Sequence, residues 1–354
     1  MPSATINQER LQQAAAVAED VVRAGTHPSA VLAVANRDET VWTHVVSGQD
    51  TVTLDSIFLL ASITKPVLAT AIMRLVEQGR LMLHFPVATY LPEFAAFGKE
   101  RVTPWHLLTH TSGLEEARWW DDLRTRNPRM PATLFEAACL SYLHFEPGTR
   151  CEYCSLSFDV LAALITRLAG QPYPQYLREQ IFTPLDMRDT AFQPVDPVRA
   201  VFVHDMGGLQ EQQLFSALAT GGGGLWGTAA DLITLGQAFL CGGRHGDYRL
   251  LGQPAIELMT RNHTAGMIEL VDRHPEPFDY GLGWRKVRAG EVLGSDRSFG
   301  HGGATGTLLW IDPVWDLVFV FLTNRWGLET NTPRRVLNAV YGALDVRAPG
   351  ETER

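Results

Sequence analysis

The pattern of apolar and polar positions predicts four long helices. In these segments apolar residues recur at the spacing of one buried helical face, and the segments end at residues that stop helices. They are residues 7–24, 62–78, 229–240 and 331–343. Gly25 and Gly79 follow the first two segments and predict where those helices end.

Short runs of β-branched and apolar residues predict strands at both ends of the chain. Near the N-terminus, "SAVLAVAN" and "TVWTHVVSG" flank "RDE" and predict a hairpin. In the C-terminal third, "YGLGWRKV", "SFGHGG", "TGTLLWIDP" and "DLVFVFLTNR" read as strands, and the last two predict an antiparallel hairpin. Because "DLVFVFLTNR" is a continuous apolar run, we expect its strand to be covered on both faces.

The middle of the chain has a different character, since short helical patterns broken by Pro and Gly dominate it from about residue 80 to 220. We therefore predict an α+β fold with a central antiparallel sheet. Residues 1–80 and 225–354 would form one α/β lobe, assembled from both ends of the chain. Residues 81–224 would form an inserted, mainly helical lobe, with the active site between the two.

Composition excludes several classes of protein. The 354 residues carry a formal net charge of −9 and no block of basic residues, which argues against nucleic-acid binding. No apolar run is long enough for a membrane span, and the N-terminus lacks the features of a secretory signal, so we expect a cytoplasmic protein. The four cysteines do not form a disulfide framework, and Cys151 and Cys154 are expected to be reduced thiols.

A serine and a lysine stand three residues apart where the second predicted helix begins. Ser62 and Lys65 would project from the same helical face, and Pro66 places both in the first turn, where proline is tolerated. A serine needs a neighbouring group to take its proton, and an amine can do so when burial disfavours its charged form. Nearby backbone N–H groups could hold an oxyanion. An N-cap serine beside an exposed lysine is the competing interpretation.

Two later segments strengthen the case for a catalytic site. Tyr153 comes just before a predicted helix, with Ser155 two positions further on. His301, Gly302 and Gly303 lie on a predicted strand, and a glycine pair on a strand often marks a place where a ligand or another backbone approaches closely. Taken singly, each segment also has a purely structural interpretation.

Together, in this order, the three segments resemble the serine β-lactamase and penicillin-recognising superfamily. Further segments are similar to that family, from about residue 28 to 343: "TPWHLLTHTSGL", "GGGGLWGTAADL", "YGLGW" and "GHGGATG". The likeness is greatest to the lactamase-like carboxylesterases and D-amino-acid peptidases. It implies the β-lactamase/transpeptidase-like fold and a serine hydrolase that needs no cofactor and no metal.

The resemblance also implies a role for each residue. Ser62 would become acylated, while Lys65 and Tyr153 would share the proton transfers. The backbone N–H groups of Ser62 and Ala304 would form the oxyanion hole. His301, in place of the more usual lysine, would orient Tyr153 or a substrate carboxylate, and Gly302, Gly303 and Ser155 would complete the substrate site.

Two departures from the family pattern favour ester substrates. Ser155 stands where an asparagine is usual, and His301 is a weaker, pH-dependent cation than lysine. We therefore predict a carboxylesterase that acts on short-chain esters of small molecules. A D-amino-acid peptidase, amidase or weak β-lactamase is the first alternative. A non-catalytic binding member of the fold is the second. Oligomeric state is left open.

Three other motifs have structural interpretations. His106 and His110 lie four residues apart, but the glutamate of a zinc protease is missing after His106. The run Gly221–Gly224 lacks the lysine that ends a phosphate-binding loop, and it predicts a tight turn beside the cleft. Trp119 and Trp120 could form a hydrophobic wall of the pocket, although ordinary packing also accounts for them.

Overall fold

A computed structural model describes residues 4–115, 133–271, 274–288, 290–327 and 331–346. Its strands are β1 (Ala4–Ile6), β2 (Ser29–Ala35), β3 (Thr40–Ser47), β4 (Phe58–Leu59), β5 (Trp226–Gly227), β6 (Arg244–His245), β7 (Tyr248–Arg249), β8 (Ile268–Val271), β9 (His274–Pro277), β10 (Arg285–Lys286), β11 (Phe299–Gly302), β12 (Leu308–Asp312), β13 (Leu317–Leu322) and β14 (Leu344–Val346).

The α-helices are α1 (Gln8–Arg23), α2 (Thr64–Glu77), α3 (Pro104–Leu108), α4 (Leu134–Leu140), α5 (Leu156–Ala169), α6 (Tyr173–Leu177), α7 (Leu209–Leu218), α8 (Ala229–Leu240), α9 (Gln253–Thr260) and α10 (Thr332–Tyr341). Short 3₁₀ helices span Ala61–Ile63, Val87–Thr89 and Pro92–Ala95, and a π-helix spans Arg178–Phe182.

A six-stranded antiparallel sheet joins both ends of the chain. Its order is β10-β11-β12-β13-β2-β3, so the N-terminal hairpin pairs directly with the C-terminal strands. Between β4 and β5 the described residues form helices and turns, with no strand of this sheet. The predicted fold class, an antiparallel sheet flanked by helices, is confirmed. The division into two lobes at residues 81 and 224 stays a prediction.

The central strand β13 is buried on both faces, as its continuous apolar sequence predicts. Val318, Val320 and Leu322 belong to a large core cluster that also holds the apolar faces of α2, α5 and α8. The alternate residues Phe319 and Phe321 pack in a second cluster with α1 and α10. The sheet is therefore a middle layer, and its α2 side supports the candidate site.

Most predicted boundaries agree with the structure to within two residues, because local signals set them. Asn7 caps α1 by accepting hydrogen bonds from two backbone N–H groups, and Thr228 caps α8 in the same way from one. The prediction for "YGLGWRKV" was too long, since only Arg285 and Lys286 pair with β11. None of the helices in the described ranges is both long and apolar enough to cross a membrane.

Glycine explains why "YGLGW" forms a turn instead of a strand. Gly283 has a φ of +78°, in the left-handed region, and a Cβ there would lie 2.5 Å from the Ala69 Cβ. A Cβ on Gly281 would lie 2.2 Å from the Met259 carbonyl oxygen. The backbone of this segment therefore packs against α2 and α9. It could not do so as part of a strand that is hydrogen-bonded into the sheet.

Stability is predicted to depend on pH through His27, which lies fully buried beneath the sheet. Burial, assisted by the charge of Arg325, lowers the pKa of His27 from 6.5 to about 4. Between these values the unfolded chain binds a proton that the folded chain does not, so stability falls as pH falls. We expect His27 to contribute a loss of about 2 kcal/mol between pH 7.5 and pH 5.

Urea unfolding of the wild type and of His27→Leu at both pH values measures this contribution. The variant should lose less stability on acidification by about that amount, whatever its stability at pH 7.5. Equal losses in the two proteins would contradict the assignment.

Candidate active site

Ser62 lies in the single 3₁₀ turn that leads into α2. The residue before it, Ala61, has a φ of +47°, which a non-glycine residue adopts only when its surroundings hold it there. Thr64 supplies part of that support, because its hydroxyl donates to the Ala61 carbonyl (2.7 Å) and accepts from the Leu225 N–H (3.0 Å). The serine therefore stands at a strained and well-braced helix start.

The amine of Lys65 is fully buried and surrounded by oxygen atoms. Its Nζ donates to the Ser62 Oγ (3.0 Å), the Ser155 Oγ (3.1 Å) and the Gly222 carbonyl (2.6 Å). It also lies 4.6 Å from the centre of the Tyr153 ring. Among the described residues Lys65 forms no ion pair, so these oxygens and the aromatic face are its surroundings.

Tyr153 is held by two side chains from other parts of the chain. Its backbone N–H donates to the Glu269 Oε1 (2.6 Å). Its ring stacks on His110 with centroids 4.4 Å apart and an interplanar angle of 25°. The following N–H, of Cys154, donates to the His110 Nδ1 (3.0 Å). The Tyr153 hydroxyl makes no hydrogen bond to any described residue.

His110 is a buried histidine in an aromatic cage. It has a φ of +58° and lies against Tyr153, Phe158, Phe278 and Tyr280. Burial, followed by the charge of Lys65, holds its pKa well below 6.5, so the ring is neutral. Since Nδ1 accepts a hydrogen bond, the proton is on Nε2, which has no hydrogen-bond partner among the described residues.

The two nitrogens of His301 face Tyr280 and Gly302, and neither is bonded to Tyr153. Nδ1 donates to the Gly302 carbonyl (2.7 Å), which leaves Nε2 to accept from the Tyr280 hydroxyl (2.7 Å). Burial, with a smaller effect of the Lys65 charge, holds the pKa of His301 well below 6.5. The histidine is 2% exposed and neutral, whereas the sequence suggested a pH-dependent cation.

The turn after β11 packs directly against the segment that precedes Ser62. Thr305 donates to the Leu59 carbonyl (2.8 Å) and Thr307 to the Leu60 carbonyl (3.2 Å). A Cβ on Gly303 would lie 2.4 Å from the Leu60 oxygen, so only glycine fits there. Ala304 lies within this turn.

Two backbone N–H groups remain for an oxyanion. Neither the Ser62 N–H nor the Ala304 N–H donates a hydrogen bond to a described residue. Preorganised N–H groups of this kind stabilise the negative charge that develops on a carbonyl oxygen during acyl transfer. Lys65 contacts the predicted site residues Ser62, Ser155 and Tyr153, and the β11 turn packs against the residues just before Ser62.

Sequence reasoning missed four groups that support these residues. They are Glu269, Tyr280, the ring of His110 and the Gly222 carbonyl. The segments "HLLTHTSGL", "YGLGW" and "GGGGLWGTAADL", as segments similar to the family, pointed toward His110, Tyr280 and Gly222, but not toward the contacts that these groups make. Glu269 has no local signal, because it acts across a tertiary contact.

The histidine and cysteine motifs that were interpreted as structural make contacts within the fold. His106 exchanges hydrogen bonds with Thr103 in a capping box, and His110 contacts Cys154, so the two imidazoles do not converge. All four cysteines are free thiols, and Cys151 and Cys154 are both buried. Trp119 and Trp120 lie outside the described residues.

Comparisons with known proteins agree with one another on the family of this chain. The family model described as Beta-lactamase matches residues 14–343. Esterase EstB from Burkholderia gladioli is 40% identical over 171 residues, which span 43% of this chain and 42% of EstB. A putative D-alanyl-D-alanine carboxypeptidase from Salmonella agona (strain SL483) is 24% identical over 333 residues, or 82% of this chain and 74% of that protein.

Solved structures share the fold over nearly the full length. EstCE1, a hydrolase with promiscuous acyltransferase activity, superposes with a TM-score of 0.79 at 23% identity, covering 94% of this chain and 99% of that chain. A penicillin-binding protein homolog from Caulobacter crescentus gives a TM-score of 0.76 at 22% identity, covering 96% and 99%. Because the family model covers most of the residues and these structures share the architecture, the chain belongs to the beta-lactamase family of serine hydrolases.

Proposed function

We propose that this protein is a carboxylesterase that cleaves short, uncharged esters through an acyl-enzyme on Ser62. The 3.0 Å contact between the Lys65 Nζ and the Ser62 Oγ supports Ser62 as the nucleophile. The esterase relative, at 40% identity over its aligned part, supports ester substrates.

The reaction takes place in two halves. The Ser62 Oγ attacks the ester carbonyl, and its proton passes to the Lys65–Tyr153 pair. The carbonyl oxygen becomes an oxyanion between the N–H groups of Ser62 and Ala304. The C–O bond to the alcohol then breaks, and the alcohol takes the proton. In the second half a water molecule attacks the acyl-enzyme, which releases the carboxylic acid and restores the Ser62 hydroxyl.

The hydrogen bonds of His301, which engage both ring nitrogens, are the observation that favours uncharged substrates. A substrate carboxylate in the cleft needs a cation or several donors to replace its water. His301 has both nitrogens engaged and a lowered pKa, and the Lys65 Nζ is already bonded to three oxygen atoms. Neither residue supports binding of a negatively charged acyl group.

Two arginines are candidate anchors for a carboxylate. Arg325 donates to the carbonyls of Gly25 and Thr26 and forms an ion pair with Asp205. Arg285 pairs in register with Gly300, and its charge helps to lower the pKa of His110 and of His301. The contacts of Arg325, but not those of Arg285, support the same conclusion about charge.

A D-amino-acid peptidase is the second candidate. The carboxypeptidase relatives align with 82% of this chain, a larger share than EstB does. The substrate carboxylate of such a peptidase distinguishes the two candidates, because it requires the anchoring charge discussed above.

A matched pair of chromogenic esters tests the proposal. p-Nitrophenyl butyrate and p-nitrophenyl hydrogen succinate share the four-carbon acyl length, and only the second ends in a carboxylate. We expect kcat/KM to be at least about tenfold higher for the butyrate, because neither His301 nor Lys65 has a hydrogen-bonding group free to pair with an acyl carboxylate. Equal or better turnover of the succinate, or preference for a D-alanyl-D-alanine peptide or nitrocefin, would favour the peptidase or lactamase alternative.

Replacement of the nucleophile is the control for that panel. Ser62→Ala should lose at least about 1,000-fold in kcat on p-nitrophenyl butyrate and all labelling by a fluorophosphonate probe. Thermal unfolding should be nearly unchanged, since the hydroxyl bonds only Lys65 among the described residues. Wild-type protein that is folded and resists the probe would instead support a non-catalytic member of the fold.

Two neighbouring glycines provide a test of the turn after β11, which carries Ala304. A Cβ at position 303 would lie 2.4 Å from the Leu60 oxygen, whereas at position 302 the nearest atom, the Thr307 oxygen, is 3.5 Å away. Gly303→Ala should therefore displace the turn that carries Ala304 and lower kcat by about 100-fold, with a much smaller effect of Gly302→Ala. Similar losses in both variants would show that the close approach at Gly303 is not the cause.

A further inference from the structure

We infer that Asp159 is a positioning residue for the catalytic lysine. Its carboxylate holds the turn Thr220–Gly224 at the place from which the Gly222 carbonyl orients the Lys65 amine. The inference rests on the proposed function in one respect, because it takes Lys65 to act on Ser62.

The Gly222 carbonyl restricts how the Lys65 amine can point. A carbonyl oxygen can only accept, so one N–H of Lys65 must point to it whether the amine is charged or neutral. At 2.6 Å this is the shortest of the three contacts of Nζ. With one tetrahedral position fixed, the remaining two face the oxygens of Ser62 and Ser155. The position of the turn therefore decides the direction from which the amine meets the nucleophile.

The turn lies against the first two turns of α5 at a distance that only glycine allows. A Cβ on Gly221 would lie 2.6 Å from the Phe158 oxygen. A Cβ on Gly222 would lie 2.8 Å from both the oxygen and the Cβ of Ser155. Because its glycines have no side chains, the turn can pack closely against α5 but makes few side-chain contacts. We therefore expect hydrogen bonds to fix its position.

Asp159 supplies those contacts from α5. Its Oδ1 accepts hydrogen bonds from the Gly221 N–H (2.8 Å) and the Thr220 hydroxyl (3.0 Å), and its Oδ2 lies 3.2 Å from the same hydroxyl. The Thr220 oxygen in turn accepts from the Gly222 N–H (3.3 Å). A chain of hydrogen bonds thus runs from Asp159 to the residue whose carbonyl contacts Lys65.

The location of Asp159 suits this role. It is the fourth residue of α5, in the first turn, where the helix dipole favours a negative charge. The carboxylate is 7% exposed, so it is held in one place by its surroundings. Ser155, the residue directly before the same helix, contacts Lys65 directly. One helix start therefore positions the amine by two routes, through the Ser155 hydroxyl and through the glycine turn.

Thr220 offers the sharpest test, because its hydroxyl can be removed without changing its shape. Thr220→Val should lower kcat for p-nitrophenyl butyrate by at least tenfold and leave KM within about twofold, since Thr220 is buried behind the glycine turn. Thr220→Ser keeps the hydroxyl and should retain kcat within about twofold. Asp159→Ala should lose more than Thr220→Val, and Asp159→Asn, which keeps the shape, should lie between Asp159→Ala and the wild type.

A second threonine–aspartate pair serves as the matched control. The Thr190 hydroxyl donates to the Asp231 Oδ2 (2.7 Å), both residues are buried, and neither bonds Lys65. Thr190→Val should lower the unfolding temperature by about as much as Thr220→Val does and leave kcat unchanged. The same loss of kcat in both variants would assign the effect to general destabilisation and overturn the inference.

The rate of labelling by a fluorophosphonate probe separates this inference from the proposed function. The probe requires only that Ser62 attack phosphorus, lose its proton to the neighbouring base and expel fluoride. We expect Thr220→Val to slow labelling at least tenfold, even if the wild type does not hydrolyse the ester, in which case only the proposed function fails. Folded Thr220→Val and Asp159→Asn proteins that label and turn over at the wild-type rate would overturn the positioning role.

Discussion

The buried amine of Lys65 is the group around which the candidate site is organised. Its three oxygen neighbours belong to three separate pieces of the chain: the 3₁₀ turn before α2, the start of α5 and the glycine turn before β5. Removing an ammonium group from water is unfavourable unless its hydrogen bonds are replaced. Each of the three pieces must therefore reach its final position for the lysine to be buried at low cost.

The same arrangement recurs for the other groups of the candidate site. Tyr153 is held through its backbone by Glu269 and through its ring by His110, and the turn that carries Ala304 is tied to the chain before Ser62 by two threonines. Apart from the ring contact, a side chain bonds a distant backbone group in each case. The groups proposed to react are thus placed by contacts that have no part in the proposed chemistry, which is how a site keeps its geometry fixed.

Features that depend on residues close together in the chain could be predicted from the sequence. The spacing of Ser62 and Lys65, the tolerance of Pro66 near a helix start and the burial of β13 all follow from local periodicity and backbone chemistry. Tyr153 and His301 were found only by resemblance. The neutral state of His301 was not predictable, because it depends on Tyr280 and on burial that no local pattern reveals.

The pairing of β2 with β13 has a consequence for how the protein is made. These strands are far apart in the chain, and β2 is buried along its whole length. During translation β2 emerges long before β13 and remains without this neighbour until β13 has also left the ribosome. Chaperone capture of the nascent chain and aggregation of C-terminally truncated products are the expected results of this delay.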